Sequence, residues 1–457
     1  MRAVYTVQQI RDAEAQFFAE NPHTDLMVVA AGHVARVALT FEAKRILVVV
    51  GPGNNGGDGL FAAMRLAVAG RQVTLWNVDD RVHPKGLAAA TVSGCREVNG
   101  VRAVRDLPET DLVIDAYLGI GARPGLPEAV ATLANECRAL GVPVLSIDLP
   151  SGLAGDETGA GESFWASRTI TFGGLKTCHV ARPAAERCGR VEVADLGLPL
   201  PTVGLAAAET HDVARRWPYP EVTANKYSRG VVGLDVGSDA YPGAAVLSAL
   251  GAAYSGAGMV RYLGGVDPLL ILASAPNVVM GPGRVEALVA GSGWGSGSSI
   301  DRVQSLLDQG VPCVLDADAL TALPETLRPD VLLTPHAGEL ARLLGIERSE
   351  VEANPLATAR TAAARWNASV LIKGATQYCV RPDGQAVIAV AGPAWTATAG
   401  SGDVLAGIAG TLLASGLDAH TASWVAASVQ AMTAEANKGP RPPQALARRL
   451  PGVIASL

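Results

Sequence analysis

The chain has 457 residues, of which 49% are hydrophobic and 18% are charged, and its formal net charge is −6. This length and composition predict an ordered protein of two or three globular domains. The chain contains no long basic run that could follow a phosphate backbone, which argues against nucleic acid as a partner.

Cysteine spacing and the N-terminus bear on location. The six cysteines form no C-x-x-C pair, which argues against zinc and disulfides and predicts buried thiols in a reducing cytoplasm. Charged residues lie where a signal peptide would have its apolar segment. Thr6 with Gln9 forms a capping-box pattern instead, which predicts a helix. The uncharged run 241–260 contains Pro242 and several glycines, so we expect an internal helix beginning near Pro242 and no membrane span.

Apolar, strand-like runs alternate with helical stretches from Arg45 to about Gly174, in the order ILVVV, QVTLW, DLVIDA, VPVLSIDL and TITFGG. This alternation predicts an α/β fold with a parallel sheet covered on both faces, in which ligands bind at the carboxyl ends of strands. Prolines multiply between Leu198 and Pro220, which indicates a connector. A second series follows, in VVGLDVG, MVRYLG, VPCVLDA, DVLLTP, SVLIKG and QAVIAVAG. We therefore expect two α/β domains, at residues 1–208 and 209–457.

The first glycine-rich loop, GPGNNGGDG, directly follows ILVVV. Glycines between a buried strand and a helix let the backbone approach a ligand, and the helix N-terminus attracts a phosphate. The glycine spacing also fits dinucleotide binding, with Asp79 as the later acid, so a plain oxidoreductase stays open on this motif. Asp58 adds oxygen ligands for a cation or polar substrate, or is a first-turn acid of the helix. Asp115 and Asp148 end two further predicted strands, so we expect them in one cleft.

The second glycine-rich loop, TAGSGDVLAG, places Gly400, Gly402 and Asp403 at a predicted helix start. Free N–H groups at such a start stabilise a transferring phosphoryl group. An acid in the same turn can accept the proton of an attacking hydroxyl, which is typical of kinase chemistry.

Four segments, GPGNNGGDG, DAYLGIGARPG, IDLPSGLAGDETG and TFGGLK, resemble in order the signatures of the Rossmann-like NAD(P)HX epimerase domain. The resemblance implies that Asp148 is the acid/base facing the nicotinamide ring. It implies contacts to the damaged dinucleotide from Asn54, Asn55, Gly56, Gly57 and Asp58, and from Gly119, Ile120, Gly121, Ala122, Arg123, Pro124 and Gly125. It also implies potassium bound by Asn55, Asp115 and Ser151, whose oxygens suit a hard cation. Lys176 is either a partner of a substrate phosphate or a solvated surface lysine.

From Asn225 onward, ANKYSRG, YPGAA, GSGWG, LDADAL, TPHAGE, LIKGA and GSGD resemble the ribokinase-like ADP/ATP-dependent NAD(P)HX dehydratase. The resemblance implies contacts to the hydrated nicotinamide nucleotide from Ala244, Gly293, His336 and Asp403. It implies that ADP or ATP, with Mg²⁺, is held by Lys373, Gly374, Ala375, Thr376, Gln377 and Gly402. Asp403 is the implied catalytic base.

One loop departs from the family pattern G-P-G-L-G or G-P-G-M-G, because this chain has Ser292 and Trp294. The indole of Trp294 could stack on a ring of the substrate. Nearby, Asp316 and Asp318 either position magnesium through water or cap a strand end.

Together the two resemblances imply a repair enzyme for hydrated nicotinamide cofactors. The first domain would interconvert the (R) and (S) epimers of NADHX and NADPHX at C6. The second would dehydrate the (S) epimer to NADH or NADPH, with ADP converted into AMP and phosphate. We expect a homo-oligomer without membrane partners. A small-molecule kinase, a NAD-binding oxidoreductase and a binding module are the alternatives, and the preferences for ADP or ATP and for NADHX or NADPHX stay open.

Overall fold

The computed structural model describes residues 1–121 and 123–457, so the implied contact at Ala122 lies outside the described residues. The chain forms two compact units, a smaller one at Ala3–Val203 and a larger one comprising Met1–Arg2 and Gly204–Leu457. The division falls a little before the expected boundary at 208/209, because the segment 205–207 is a strand in the sheet of the larger unit.

The smaller unit is built on a seven-stranded sheet. The first strand of the chain, β1 (Arg2–Ala3), joins the other sheet. The strands of the smaller unit are β2 (Arg45–Val50), β3 (Gln72–Asn77), β4 (Arg96–Glu97), β5 (Leu112–Ala116), β6 (Val144–Ile147), β7 (Arg168–Phe172) and β8 (Arg190–Ala194). Its helices are α1 (Val7–Glu20), α2 (Leu26–Leu39), α3 (Asn54–Val68), α4 (Pro84–Val92), α5 (Gly100–Arg105), α6 (Glu128–Leu140) and α7 (Thr177–Val180), with 3-10 turns at Leu107–Glu109 and Ala184–Arg187.

All neighbouring strands of this sheet are parallel, in the order β4-β3-β2-β5-β6-β7-β8. The order reverses between β2 and β5, which is where open α/β sheets bind ligands. Strands β5 and β6 are buried along their whole lengths, because helices cover both faces of the sheet.

The larger unit contains an eleven-stranded sheet. Its strands after β1 are β9 (Leu205–Ala207), β10 (Val231–Asp235), β11 (Met259–Tyr262), β12 (Val279–Met280), β13 (Ala287–Ala290), β14 (Cys313–Leu315), β15 (Val331–Leu333), β16 (Ser369–Ile372), β17 (Tyr378–Val380) and β18 (Ala386–Ile388). Its helices are α8 (Thr210–Arg216), α9 (Pro242–Tyr254), α10 (Pro268–Leu272), α11 (Ile300–Leu307), α12 (Ala337–Leu344), α13 (Arg348–Ala353), α14 (Pro355–Trp366), α15 (Ser401–Ala414), α16 (Ala419–Ala436), α17 (Pro443–Ala447) and α18 (Leu450–Ile454), with 3-10 turns at Gly295–Gly297, Ala317–Ala322 and Ala394–Thr396.

The strand order of this sheet is β1-β9-β18-β17-β16-β15-β14-β13-β10-β11-β12, and β17 runs antiparallel to both its neighbours. Helices α15 and α16 are buried along most of their lengths. Small residues allow this packing: a Cβ at Gly407 of α15 would lie 2.2 Å from the carbonyl oxygen of Ser248 in α9.

Several sequence expectations are confirmed. Thr6 caps α1 with the complete capping box, and Pro242 is the first residue of α9. All six cysteines are free and buried. Among the described residues, no helix combines the length and the hydropathy that a membrane crossing requires.

Other elements differ from the sequence expectation. The connector expected between Leu198 and Pro220 contains β9 and α8, so that interpretation is wrong in part. The predicted strand series also lacks β13, although this strand lies centrally between β10 and β14. Its four residues, ALVA, are too short and too rich in alanine for a periodicity argument to detect.

Candidate active sites

A cavity of about 450 Å³ lies in the smaller unit at the carboxyl ends of β2, β5 and β6, where the strand order reverses. Helix α1 completes its wall with Ile10, Arg11 and Glu14, which the sequence did not assign to a site. Of the implied contacts, the cavity is lined by Asn54, Asn55, Asp58, Gly119, Ile120, Gly121 and Asp148. It is not lined by Gly56, Gly57, Arg123, Pro124 or Gly125.

Most glycines of the first loop serve close packing within the unit. A Cβ at Gly51 would lie 1.7 Å from a backbone oxygen of the loop after β5, and one at Gly56 would lie 2.0 Å from the carbonyl oxygen of Gly51. Gly53 is different, because a Cβ there would have no atom within 4 Å. This residue precedes α3 without a side-chain cap, so the first N–H groups of the helix are available to an anion.

Asp148 directly follows β6, and three donors fix its carboxylate. Oδ1 accepts hydrogen bonds from Lys176 Nζ at 2.9 Å and Thr171 Oγ1 at 3.1 Å. Oδ2 accepts one from the N–H of Ile120 at 2.9 Å. The φ angle of Asp148 is +67°, a left-handed conformation that is uncommon outside glycine and that persists only where the surroundings impose it.

Lys176 is fully buried, so the surface interpretation is wrong. An ammonium group has three donors, and here they reach Asp148, Thr171 Oγ1 at 2.7 Å and the carbonyl oxygen of Phe172 at 3.2 Å. Because Lys176 also lines the cavity, its pairing with a substrate phosphate stays a prediction. His179 had no partner that could be predicted from the sequence. In the structure its Nδ1 accepts from the N–H of Lys176, and its Nε2 lies 2.9 Å from the carbonyl oxygen of Asp148.

The carboxyl groups of this cavity differ in acidity. Burial pushes the pKa of Asp148 upward, but the charge and hydrogen bond of Lys176 outweigh it and hold the pKa below its usual value. Burial, followed by the charges of Asp148 and Glu14, raises the pKa of Asp58 well above its usual value. Asp58 lies buried in the second turn of α3, so its interpretation as a first-turn acid is wrong. The cavity therefore combines a carboxyl group whose pKa is held below its usual value with one whose pKa is held above it.

Two of the three residues implied as potassium ligands, Ser151 and Asn55, bind the backbone of Leu118, and the third, Asp115, accepts from Ser151. Ser151 Oγ accepts from the N–H of Leu118 at 2.8 Å, and Asn55 Nδ2 donates to its carbonyl oxygen at 3.0 Å. Asp115 is fully buried, and burial raises its pKa to about 6 despite hydrogen bonds from Ser146 and Ser151. A buried carboxylate beside amide, hydroxyl and carbonyl oxygens fits a hard cation such as K⁺.

A second cavity, of about 440 Å³, lies in the larger unit beyond β13, β14 and β16 and against the starts of α9 and α15. Of the implied contacts, it is lined by Ala244, Gly293, Lys373, Gly402 and Asp403. It is not lined by His336, Gly374, Ala375, Thr376 or Gln377. Gly400 precedes α15 with φ of +88° and no side-chain cap, which leaves the first N–H groups of α15 for a phosphate.

Asp403 lies in the first turn of α15, and an ion pair between the half-buried Lys373 and the buried Asp316 lines the same cavity. Lys373 Nζ is 2.7 Å from Asp316 Oδ1, and the pKa of Lys373 is raised because Asp316 and Glu339 more than offset burial. Burial, and then the charge of Asp316, raise the pKa of Asp403 to about 6, although Ser292 and Lys373 lower it in part. The cavity thus holds a base that titrates near neutral pH and a fixed cation.

Both acids of the LDADAL segment bind protein groups. Asp316 Oδ1 also accepts from Thr334 Oγ1 at 2.9 Å, and its Oδ2 accepts from Ser292 Oγ at 3.1 Å. Asp318 Oδ2 accepts from the N–H of Gly295 at 2.8 Å. These contacts favour the strand-end interpretation of the two acids.

Trp294 does not stack on a substrate ring, because its side chain is buried, so that expectation is wrong. Its Nε1–H donates to the carbonyl oxygen of Asp235 at 2.8 Å. The guanidinium group of Arg302 lies 3.9 Å from its ring centroid and 2.6 Å from Asp235 Oδ1. Trp294 therefore anchors the loop after β13 through its buried contacts with Asp235 and Arg302.

Two other candidate residues have local partners. His336 caps α12, since its Nδ1 accepts from the N–H of Glu339 at 3.1 Å, and its side chain is 53% exposed. The contact of His336 with substrate stays a prediction. Asp79 pairs with Arg81 at 3.3 Å and does not line the first cavity, which weakens the oxidoreductase alternative.

These sites define a protein of two α/β units, each of which places buried carboxyl groups and free helix N–H groups around a cavity suited to a nucleotide. A family model described as NAD(P)H-hydrate dehydratase matches residues 232–451, and one described as YjeF-related protein N-terminus matches residues 23–178. Both resemblances seen in the motifs are thereby confirmed.

Complete relatives match along nearly the whole chain. The chain is 40% identical to the bifunctional NAD(P)H-hydrate repair enzyme Nnr of Mycobacterium tuberculosis, over 93% of this chain and 91% of the relative. It is also 40% identical to the enzyme of that name from Mycobacterium leprae, over 95% and 94%. The ADP/ATP-dependent NAD(P)H-hydrate dehydratase from Bacillus subtilis, co-crystallized with ATP/Mg²⁺, matches 56% of this chain and 99% of its own, at 25% identity and a TM-score of 0.51. The chain belongs to the family of bifunctional NAD(P)H-hydrate repair enzymes.

Proposed function

We propose that this chain repairs hydrated nicotinamide cofactors, with the smaller unit epimerising NADHX and NADPHX at C6 and the larger unit dehydrating the (S) epimer with ADP. The observation that carries the proposal is the pairing, in each cavity, of a buried carboxyl group with uncapped helix N–H groups. The N–H groups bind phosphate, and the carboxyl group handles the proton of the C6 hydroxyl.

In the smaller unit, the raised pKa of Asp58 suits a general acid and the lowered pKa of Asp148 suits a general base. Asp58 donates a proton to the C6 hydroxyl, which leaves as water while the ring nitrogen lone pair forms a C=N bond. Water then adds to the other face of C6, and Asp148 accepts its proton. Exchange with solvent returns this proton from Asp148 to Asp58 and restores the starting state. Water lost equals water gained, so only the configuration at C6 changes.

In the larger unit, Asp403 accepts the proton of the C6 hydroxyl, whose oxygen attacks the terminal phosphoryl group of ADP. The phosphoanhydride bond breaks and AMP leaves, while Lys373 and the N–H groups of α15 stabilise the charge on the transferred group. The ring nitrogen lone pair then expels phosphate from C6. The departing phosphate accepts a proton from C5, which restores the 5,6 double bond of NADH or NADPH.

Two metal ions complete the proposal. K⁺, held by Asn55, Asp115 and Ser151, would neutralise the buried carboxylate and fix the loop at Leu118. Mg²⁺ would arrive with the nucleotide and neutralise phosphate charge. Epimerisation that runs equally fast in potassium and in choline chloride would contradict the potassium assignment.

The test supplies a mixture of both epimers with ADP and Mg²⁺, and follows dihydronicotinamide absorbance against a protein-free control that measures spontaneous interconversion. Complete conversion is the expected result. Conversion that stops when the (S) epimer is consumed leaves only the dehydratase. No conversion removes the dehydratase activity, and epimer exchange is then followed separately by chromatography. A stable phosphorylated product instead of free phosphate would identify a kinase.

A further inference from the structure

Ser292 lies between the two carboxyl groups of the larger unit's cavity. It is buried, with 1% of its surface exposed, yet it lines the cavity. Its hydroxyl donates to Asp316 Oδ2 at 3.1 Å, and Asp403, whose pKa the hydroxyl lowers, lines the same cavity. The proline found here in the family pattern has no hydroxyl and could do neither.

A hydroxyl has a single proton, so Ser292 can donate to only one of the two carboxyl groups at a time. Asp316 has two other partners at Oδ1, namely Lys373 and Thr334. Among the described residues, Ser292 supplies the one hydroxyl whose hydrogen-bonding capacity lowers the pKa of Asp403. Asp316 therefore tolerates loss of the Ser292 proton better than Asp403 does.

We propose that Ser292 is a positioning residue for the proposed base, and that its hydroxyl turns from Asp316 to Asp403 when Asp403 is ionised. This hydrogen bond holds one carboxylate oxygen of Asp403, so that the other oxygen faces the C6 hydroxyl of the hydrated cofactor. The inference rests on the proposed dehydration reaction, because it concerns the base of that reaction.

The charged groups around Asp403 fix the sign of the expected effect. Asp316 favours the protonated form of Asp403, whereas Lys373 and the Ser292 hydroxyl favour the ionised form. Glu339 lies 3.8 Å from Lys373 Nζ and shares its charge. Removal of the hydroxyl therefore raises the pKa of Asp403. When the pH is lowered, the variant should lose dehydration activity at a higher pH than wild type does.

The experiment compares wild type with Ser292→Ala and Ser292→Cys, and measures kcat and KM for the (S) epimer from about pH 5 to about pH 9 with ADP and Mg²⁺. The midpoint of the acid limb should move upward by about one pH unit in Ser292→Ala, with KM and the alkaline plateau unchanged. Ser292→Cys keeps the size of the side chain with a weaker donor, so its shift should be smaller and in the same direction.

The matched control is Ser298→Ala, because Ser298 lies in the same segment and donates to the carbonyl oxygen of Asp318, away from Asp403. An acid limb that stays at the wild-type position, or a kcat that falls by the same factor at every pH, overturns the proposal. If Ser292→Ala is unfolded by circular dichroism, the Ser292→Cys profile decides. Absence of dehydration in wild type would instead refute the proposed function.

Discussion

Two lysine–aspartate pairs, one buried and one partly buried, give the two proposed bases opposite properties. In the smaller unit, Lys176 binds Asp148 itself, and the pKa of Asp148 lies below its usual value. In the larger unit, Lys373 binds the neighbouring Asp316, and the pKa of Asp403 rises to about 6. The same pair of residue types therefore keeps one base ionised and leaves the other to titrate near neutral pH.

The two activities should consequently differ in their pH dependence. As pH falls through about 6, Asp403 becomes protonated and dehydration declines. Asp148 stays ionised to a lower pH, so epimerisation should persist near pH 5, where dehydration has dropped about tenfold. Separate assays on purified epimers check this, with epimer exchange followed by chromatography and dehydration by absorbance. If epimerisation and dehydration declined over the same pH range, the assignment of Asp148 and Asp403 as their bases would be contradicted.

Replacement of Lys176 by methionine removes the cation that keeps Asp148 ionised. The pKa of Asp148 should then rise, because burial is no longer offset, and epimerisation at neutral pH should fall by about 100-fold or more. Loss of one partner of a buried pair should also destabilise the smaller unit by about 3 to 5 kcal/mol, measurable in urea. Lys44→Met, at an exposed position, is the control. If Lys176→Met epimerises as fast as wild type, Lys176 is not needed to keep Asp148 ionised.

At the scale of elements, the sites are built where strands end and helices begin. Strands β2, β5 and β6 end beside the cavity, near the reversal of strand order. The glycine loop before α3 packs closely at Gly51, and its residues Pro52 and Gly53 line the cavity. Helix α1 is the part of the wall that comes from outside the α/β alternation. Its capping box was visible in the sequence, but its place beside the cavity was not.

Loss of the α1 cap tests whether this helix contributes to the site. Thr6→Ala removes the hydrogen bond from the N–H of Gln9 to Thr6 Oγ1, and should cost about 1 kcal/mol of unfolding free energy. Fraying of α1 displaces Arg11 and Glu14, so KM for epimerisation should rise while dehydration is unchanged. Thr24→Ala, at an exposed turn, is the control. A KM equal to that of wild type would place α1 outside the functional wall.

At the scale of the whole molecule, the two sites lie in separate compact units with their own sheets. Each unit matches its own family model. The proposed reactions share the free epimers as product and substrate, so neither site requires the other in the same chain.

Complementation between variants tests this independence. Asp148→Asn should dehydrate the (S) epimer and leave the (R) epimer, whereas Asp403→Asn should exchange epimers and release no NADH. A loss of about 100-fold or more is expected for each affected reaction. An equimolar mixture of the two variants should convert both epimers completely, as measured by absorbance. Failure of the mixture, with each single activity intact, would show that the epimer is not released between the sites.

Local features of the sequence determined much of this protein. The glycine loops, the strand-end positions of Asp115 and Asp148, the helix-start position of Asp403 and the α1 cap all follow from spacing along the chain. Burial and cross-chain neighbours required the tertiary structure. From the sequence, Lys176 was either a partner of a substrate phosphate or a surface lysine. Its contact with Asp148 arises only because β6 and β7 are neighbours in the sheet. Ser292 likewise meets Asp316 and Asp403 only in the fold, and pKa values depend on such contacts because burial and nearby charge, not residue type, set them.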